Sequence, residues 1–181
     1  MLVAVLGCGC VTAPEGIEPN WGQQILVVGG YRGNDSGVSG NPVVGLELVR
    51  IEPTAGGWGF EIEGRYGTEE EDQVDKVRTA SYYEIGGGIR QVFNRGAALR
   101  PYVGVGGAYM IEDTDDILDN GLKRDQRERG GGAYAHGGAL WIPSETQLNR
   151  EWGLALGVDL RGMWGEDYCY TELSFVVGIG R

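Results

Sequence analysis

No stretch of this chain approaches the roughly 18 to 20 consecutive apolar residues that a membrane-crossing helix requires, so a helical span is excluded. Proline is sparse, 6 of 181 residues, and the glycines show no three-residue period, which removes both Pro-rich disorder and a collagen-like chain. Basic residues are few: Lys+Arg total 15 against 26 Asp+Glu, a formal charge of -11, the wrong sign for neutralising nucleic-acid phosphates. Of the 3 cysteines only Cys169 lies in an expected strand, so no disulfide framework follows. Lysine is confined to Lys76 and Lys123, and His136 is the only histidine. The mean hydropathy of -0.22 does not settle solubility, because a membrane strand needs only about 9 to 11 alternating residues.

What the chain has in excess is glycine, 34 residues, set among short alternating segments. Period-two patterning bounded by turn residues gives eight expected strands, near 22–32, 43–52, 57–66, 80–93, 98–111, 130–142, 150–164 and 168–180. The acid-rich stretches EEEDQVD (69–75) and EDTDDILD (112–119) have no apolar periodicity and read as solvated loops, as does GNDSGVSGNP (33–42). Eight short-linked strands and no helix predict an all-β, antiparallel up-and-down β-barrel, since closure removes exposed edges. At this length the chain is most economically one barrel domain over 21–181. It is preceded over 1–20 by what reads as an export-signal remnant and linker. Within that remnant VLGC (5–8) resembles a lipoprotein cleavage motif, which would make Cys8 a lipidation site; the plainer reading is a signal remnant with incidental cysteines.

Alternation alone does not say which face meets water, because a soluble lipocalin-like carrier and a membrane barrel both have one apolar and one polar face. In the third strand Trp58, Phe60, Ile62 and Tyr66 share one side against Glu61, Glu63 and Arg65. Three features place the polar side within. Its charges are separated by Gly and Ala, as a narrow eight-stranded interior requires. The expected strands carry Arg and no Lys, and the planar guanidinium fork suits enclosed carboxylate pairs. Aromatics gather near strand ends on the apolar side, at Trp58, Tyr66, Phe93, Tyr109, Trp152 and Trp164, as an interfacial girdle would. A transmembrane barrel is therefore expected, with lipid as its surroundings.

The segment LRPYVGVGGAYM (99–110) resembles the RPYVGxGxGY strand of small outer-membrane β-barrel proteins of the OmpA/OmpX-like, porin-family type, and the eight-strand layout covers nearly all the chain after Asn20. That resemblance implies residence in the outer membrane of a Gram-negative-type cell, delivery by the outer-membrane assembly machinery, and a structural or surface-interaction role without enzymatic activity. Barrels of that kind commonly finish on an aromatic residue, whereas this chain ends FVVGIGR.

By parity the interior is expected to hold Glu47, Glu61, Glu63, Glu84, Glu151, Asp159 and Glu172 with Arg65, Arg90, Arg100 and Arg161, a cross-strand network filling the lumen. Its acid excess means that any pore would prefer cations. Some outer-membrane barrels are lipid A deacylases with His and Ser two residues apart on one strand face. Here the position matching that Ser, two residues after His136, is Gly138, and Ser144 lies beyond Pro143, so no catalytic site is assigned. The glycine clusters lack a strand-to-helix context for phosphate, DTDDILDNG does not fit a calcium loop, and neither cofactor nor metal is expected.

Overall fold

The computed structural model describes residues 22–34, 37–52, 56–73, 76–94, 97–118, 123–142, 153–166 and 168–180. Eight strands follow in chain order: β1 (Gln23–Asn34), β2 (Gly37–Ile51), β3 (Trp58–Gln73), β4 (Lys76–Val92), β5 (Leu99–Leu118), β6 (Lys123–Trp141), β7 (Gly153–Gly165) and β8 (Cys169–Gly180). Each pairs antiparallel with its sequence neighbours, and β1 closes the barrel on β8 from Gln24↔Gly180 to Asn34↔Tyr170. Closure leaves no free edge within the barrel wall, the condition for crossing a bilayer with strands.

Side chains alternate strictly through the wall. Phe60 and Phe175 are 69% and 71% exposed on the outside, while Arg90 and Arg161 are 0% exposed within. The outward band of Val27, Leu46, Ile62, Ile85, Val105, Leu160 and Leu173 is flanked by Trp58, Phe93 and Trp141 toward the short-turn end. Tyr66, Tyr83, Tyr109 and Trp164 flank it toward the other end, with the Tyr66 and Tyr83 rings 5.0 Å apart. From Trp58 to Tyr66 the strand runs about 9 residues, within the ~9 to 11 that a tilted membrane strand needs. The carrier reading, which needs Trp58 and Phe60 inside, is overturned by this arrangement.

The expected loops at the long-connector end are a correction. The stretches 69–73 and 112–118 belong to β3 and β5, Lys76 and Lys123 begin β4 and β6 rather than sitting in loops, and β1 and β2 run on to Asn34 and from Gly37. β3 pairs with β2 only as far as Gly67↔Val43, yet with β4 to Gln73↔Lys76. β6 pairs with β7 only to Gly132↔Gly165, yet with β5 to Ile117↔Lys123. One side of the barrel thus stands taller, as a four-stranded sheet above the aromatic ring. Opposite charges on neighbouring strands replace apolar pairing there: Asp113 meets Arg127 at 3.2 Å and Glu112 meets Arg78 at 3.3 Å. Outside a bilayer a strand needs no apolar face, so the alternation signal stops while the strand continues.

Candidate functional site: the charged interior

Side chains fill the lumen in layers. Toward the short turns Leu26, Val49, Ile51, Val92, Tyr102, Leu140 and Val176 form an apolar plug, and Val43, Tyr82, Met110 and Tyr168 cluster toward the tall end. Between these layers lie the ions. The described residues bury six carboxylates, Glu47, Glu61, Glu63, Glu84, Asp159 and Glu172, with five arginines, Arg32, Arg65, Arg90, Arg100 and Arg161, and His136. Ions removed from water are tolerated only when paired and hydrogen-bonded, and the pairing is nearly continuous.

Three arginines and three glutamates alternate around a closed ring. Arg32 Nη2 lies 3.1 Å from both Glu84 Oε2 and Glu172 Oε2. Arg161 Nη2 joins Glu84 at 2.7 Å to Glu63 at 2.5 Å. Arg65 joins Glu63 at 3.1 Å and completes the circuit with a contact to Glu172. A branch descends from Arg65 to Glu47 at 2.7 Å, then Arg90 at 2.7 Å, then Glu61 at 2.6 Å, and ends at His136. His136 Nε2 is 2.9 Å from Glu61 and Nδ1 is 3.1 Å from Asp159. The imidazole thus sits with a carboxylate oxygen near each nitrogen.

Tyrosines wrap the network from both sides. The hydroxyls of Tyr102, Tyr134 and Tyr170 donate to Asp159, Glu61 and Glu84 at 2.7, 2.8 and 2.5 Å. Their rings also lie under guanidinium groups: Arg90 over Tyr102 at 4.3 Å, Arg161 over Tyr134 at 4.2 Å and Arg32 over Tyr170 at 3.6 Å. Each tyrosine therefore satisfies an acid with its hydroxyl and a base with its face.

Glu47, Glu61, Glu63, Arg65, Glu84, Arg90, Asp159, Arg161 and Glu172 all sit in this one network, while Arg100 lies below it and donates from Nε to the Ala97 carbonyl at 3.1 Å. Glu151, Trp152, Cys8 and Ser144 fall outside the described residues. Arg32 and His136 join the expected arginines among the groups that face these carboxylates, while Glu151, which the expected acid excess includes, falls outside the described residues. Parity reasoning missed Arg32 because β1 is apolar on both faces, with Ile25 and Val27 outside and Leu26 and Val28 inside. The signal available was the lone arginine of GYRGN, out of phase with the exposed Tyr31.

Glu47, His136 and Asp159 bring ligand-type atoms within 4.8 Å of one another. Both Glu47 oxygens, however, hold arginines and His136 faces two carboxylates, so these donors are engaged by the network and carry no metal assignment. Among the described residues the His136 ring packs against Tyr102 and Tyr134, and its two nitrogens face carboxylates rather than a serine or threonine hydroxyl. Among the described residues this geometry gives no catalytic constellation.

An eight-stranded closed wall, apolar outside and ionic inside, defines a small membrane-type β-barrel, and the solved structures it superposes on are of that class. A major outer membrane protein from Thermus thermophilus matches with a TM-score of 0.59 at 8% identity, covering 87% of this chain and 97% of that one. Ail, the attachment invasion locus protein of Yersinia pestis, matches with a TM-score of 0.56 at 12% identity, covering 88% and 97%; Ail has also been solved in complex with the heparin analogue sucrose octasulfate. Neisserial surface protein A matches with a TM-score of 0.55 at 11% identity, covering 87% and 93%. No protein-family model and no curated protein sequence matches the chain. At such identities the likeness establishes a shared fold.

Proposed function

We propose that the chain is an integral β-barrel of the outer membrane of a Gram-negative-type cell, inserted by the outer-membrane assembly machinery, with a structural or surface-interaction role. The observation that carries this reading is the outward apolar band bounded by Trp58, Phe93 and Trp141 at one end and by Tyr66, Tyr83, Tyr109 and Trp164 at the other. Such a belt is costly in water and fits a bilayer. The tall β3–β6 sheet, rich in both charge signs, is the part offered to the outside, and the complex of Ail with a heparin analogue supports a surface role for barrels of this shape.

The interior supports a sealed scaffold over a channel. A pore needs water or exchangeable ions along its axis, whereas here a network of ion pairs spans the lumen between two apolar layers. The test is the full chain refolded in detergent and reconstituted in planar bilayers. Heat-modifiable migration on a gel with no steady conductance is expected. Migration that does not change on heating would overturn the membrane barrel, and stable cation-selective currents would overturn the sealed lumen.

A further inference from the structure

A groove of about 420 Å3 lies on the outer wall near the short-turn end, bordered by Arg50, Glu52, Trp58, Phe60 and Ile89. Its two rows are fixed by strand register. Arg50 lies beside Phe60 and Phe60 beside Ile89, while one step closer to the turn the Glu52 N–H donates to the Trp58 carbonyl at 2.9 Å. Arg50 and Glu52 point to the same side of the sheet, roughly 7 Å apart along the chain, and both are exposed. The described residues place no carboxylate in ion-pair contact with the Arg50 guanidinium. An arginine to which the described residues give no acid, at the edge of an apolar groove and level with the aromatic belt, suits an anionic oxygen from the membrane side.

Going toward the short turns, the wall offers first a guanidinium with the apolar Phe60 and Ile89 at its own register level, then, one step on, a carboxylate beside Trp58. A phosphoethanolamine phospholipid presents phosphate and then ammonium in that order, with acyl chains to lie along the apolar residues at the side. Guanidinium binds phosphate oxygens bidentately, and a carboxylate accepts from an ammonium while keeping other partners, since its two oxygens offer about four acceptor sites. We propose that this groove holds one phospholipid of the periplasmic leaflet with a phosphoethanolamine headgroup, its phosphate on Arg50, its ammonium on Glu52 and an acyl chain along Phe60 and Ile89. The proposal rests on the membrane-barrel reading above.

The experiment titrates the delipidated, refolded chain in detergent with phosphatidylethanolamine, phosphatidylglycerol and phosphatidylcholine of identical acyl chains, and counts retained lipid by native mass spectrometry. Retention of phosphatidylethanolamine about tenfold over phosphatidylcholine is expected, the worth of a charge-assisted hydrogen bond. Arg50→Gln should lose retention of both phosphatidylethanolamine and phosphatidylglycerol. Glu52→Gln should lose only the preference for phosphatidylethanolamine. Both positions lie on the outer wall, and heat-modifiable migration confirms that each variant is folded. Equal retention of the three lipids by the folded unmodified chain, or unchanged retention in folded Arg50→Gln, overturns the lipid site alone. Failure of the unmodified chain to fold as a heat-modifiable barrel overturns the membrane reading with it.

Discussion

Arg32 on β1 reaches Glu84 on β4 at 3.1 Å, joining two strands that are three apart around the wall. The contact crosses the lumen rather than following the sheet, so it braces the barrel against flattening in a way that no neighbouring-strand pair does.

Arg32→Ala should therefore be among the most damaging single changes. It takes from both Glu84 and Glu172 one of their two arginine partners in a buried interior, and removing one partner of a buried pair costs about 3 to 5 kcal/mol. The midpoint of urea unfolding, followed by the heat-modifiable band, should fall accordingly. Adding Glu84→Ala to Arg32→Ala should cost less than the sum of the two single changes, because they belong to one ring. Full additivity would mean that the ring is not energetically connected.

A second prediction follows from the close approach of Gly104 to His136. A Cβ at Gly104 would overlap His136 Nε2 and lie 3.2 Å from Glu61 Oε1, so the imidazole must leave its place between Glu61 and Asp159. Gly104→Ala should destabilise the barrel by overpacking, about 1 to 3 kcal/mol. His136→Ala vacates that volume, so Gly104→Ala made in the His136→Ala background should cost measurably less in the same urea titration. An equal cost in both backgrounds would detach Gly104 from the histidine.

The difference between β3 and β1 shows what the sequence discloses. From Trp58 to Tyr66 nearly every second residue is apolar and every intervening one is Gly, Glu or Arg, so faces can be assigned without a structure. In β1 the interior Leu26 and Val28 belong to the inner apolar filling, the contrast between faces vanishes, and Arg32 goes unseen. Parity also gives a face and no height: whether Arg161 of β7 meets Glu63 of β3 depends on the stagger of strands around the barrel, which no local pattern encodes. The acid-rich segments mislead for a further reason. Asp113 and Arg127 are partners across a β5–β6 pair that is invisible until register is known, so each segment alone looks like a solvated loop.

The wall predicts opposite sensitivities that size alone would not. Leu160 is outward and lies midway between the level of Trp141 and that of Trp164, so Leu160→Arg should cost about 2 to 4 kcal/mol near the bilayer midplane. Gly157 faces inward, where parity alone would admit a small polar side chain, yet its Cβ would overlap the Ala139 carbonyl and lie 2.8 Å from Leu140 Cδ2. Gly157→Ser is accordingly expected to destabilise as well, by backbone displacement rather than by lipid exposure. The two separate in the bilayer: thinner bilayers should relieve Leu160→Arg and leave Gly157→Ser unchanged, as read from folding yields across lipids of different chain length.

Removal of Glu69 to Asp75 tests the independence of the tall sheet from the barrel. Those residues include the end of β3 above Gly67, where β3 no longer pairs with β2, and their loss leaves Lys76 to Ala80 to turn the chain from Thr68 back to its partner Ser81. Everything from Thr68 downward keeps its register, including the Tyr66–Tyr83 contact and the whole ion ring, and loop-closure entropy changes slowly with length. Heat-modifiable migration should survive with a urea midpoint close to that of the full chain. Amide exchange should rise at Thr114 to Leu118, because the top of β4 that pairs with them from Ala80↔Thr114 to Lys76↔Leu118 has been converted to a turn. A barrel that no longer folds would show instead that the tall sheet is required for closure.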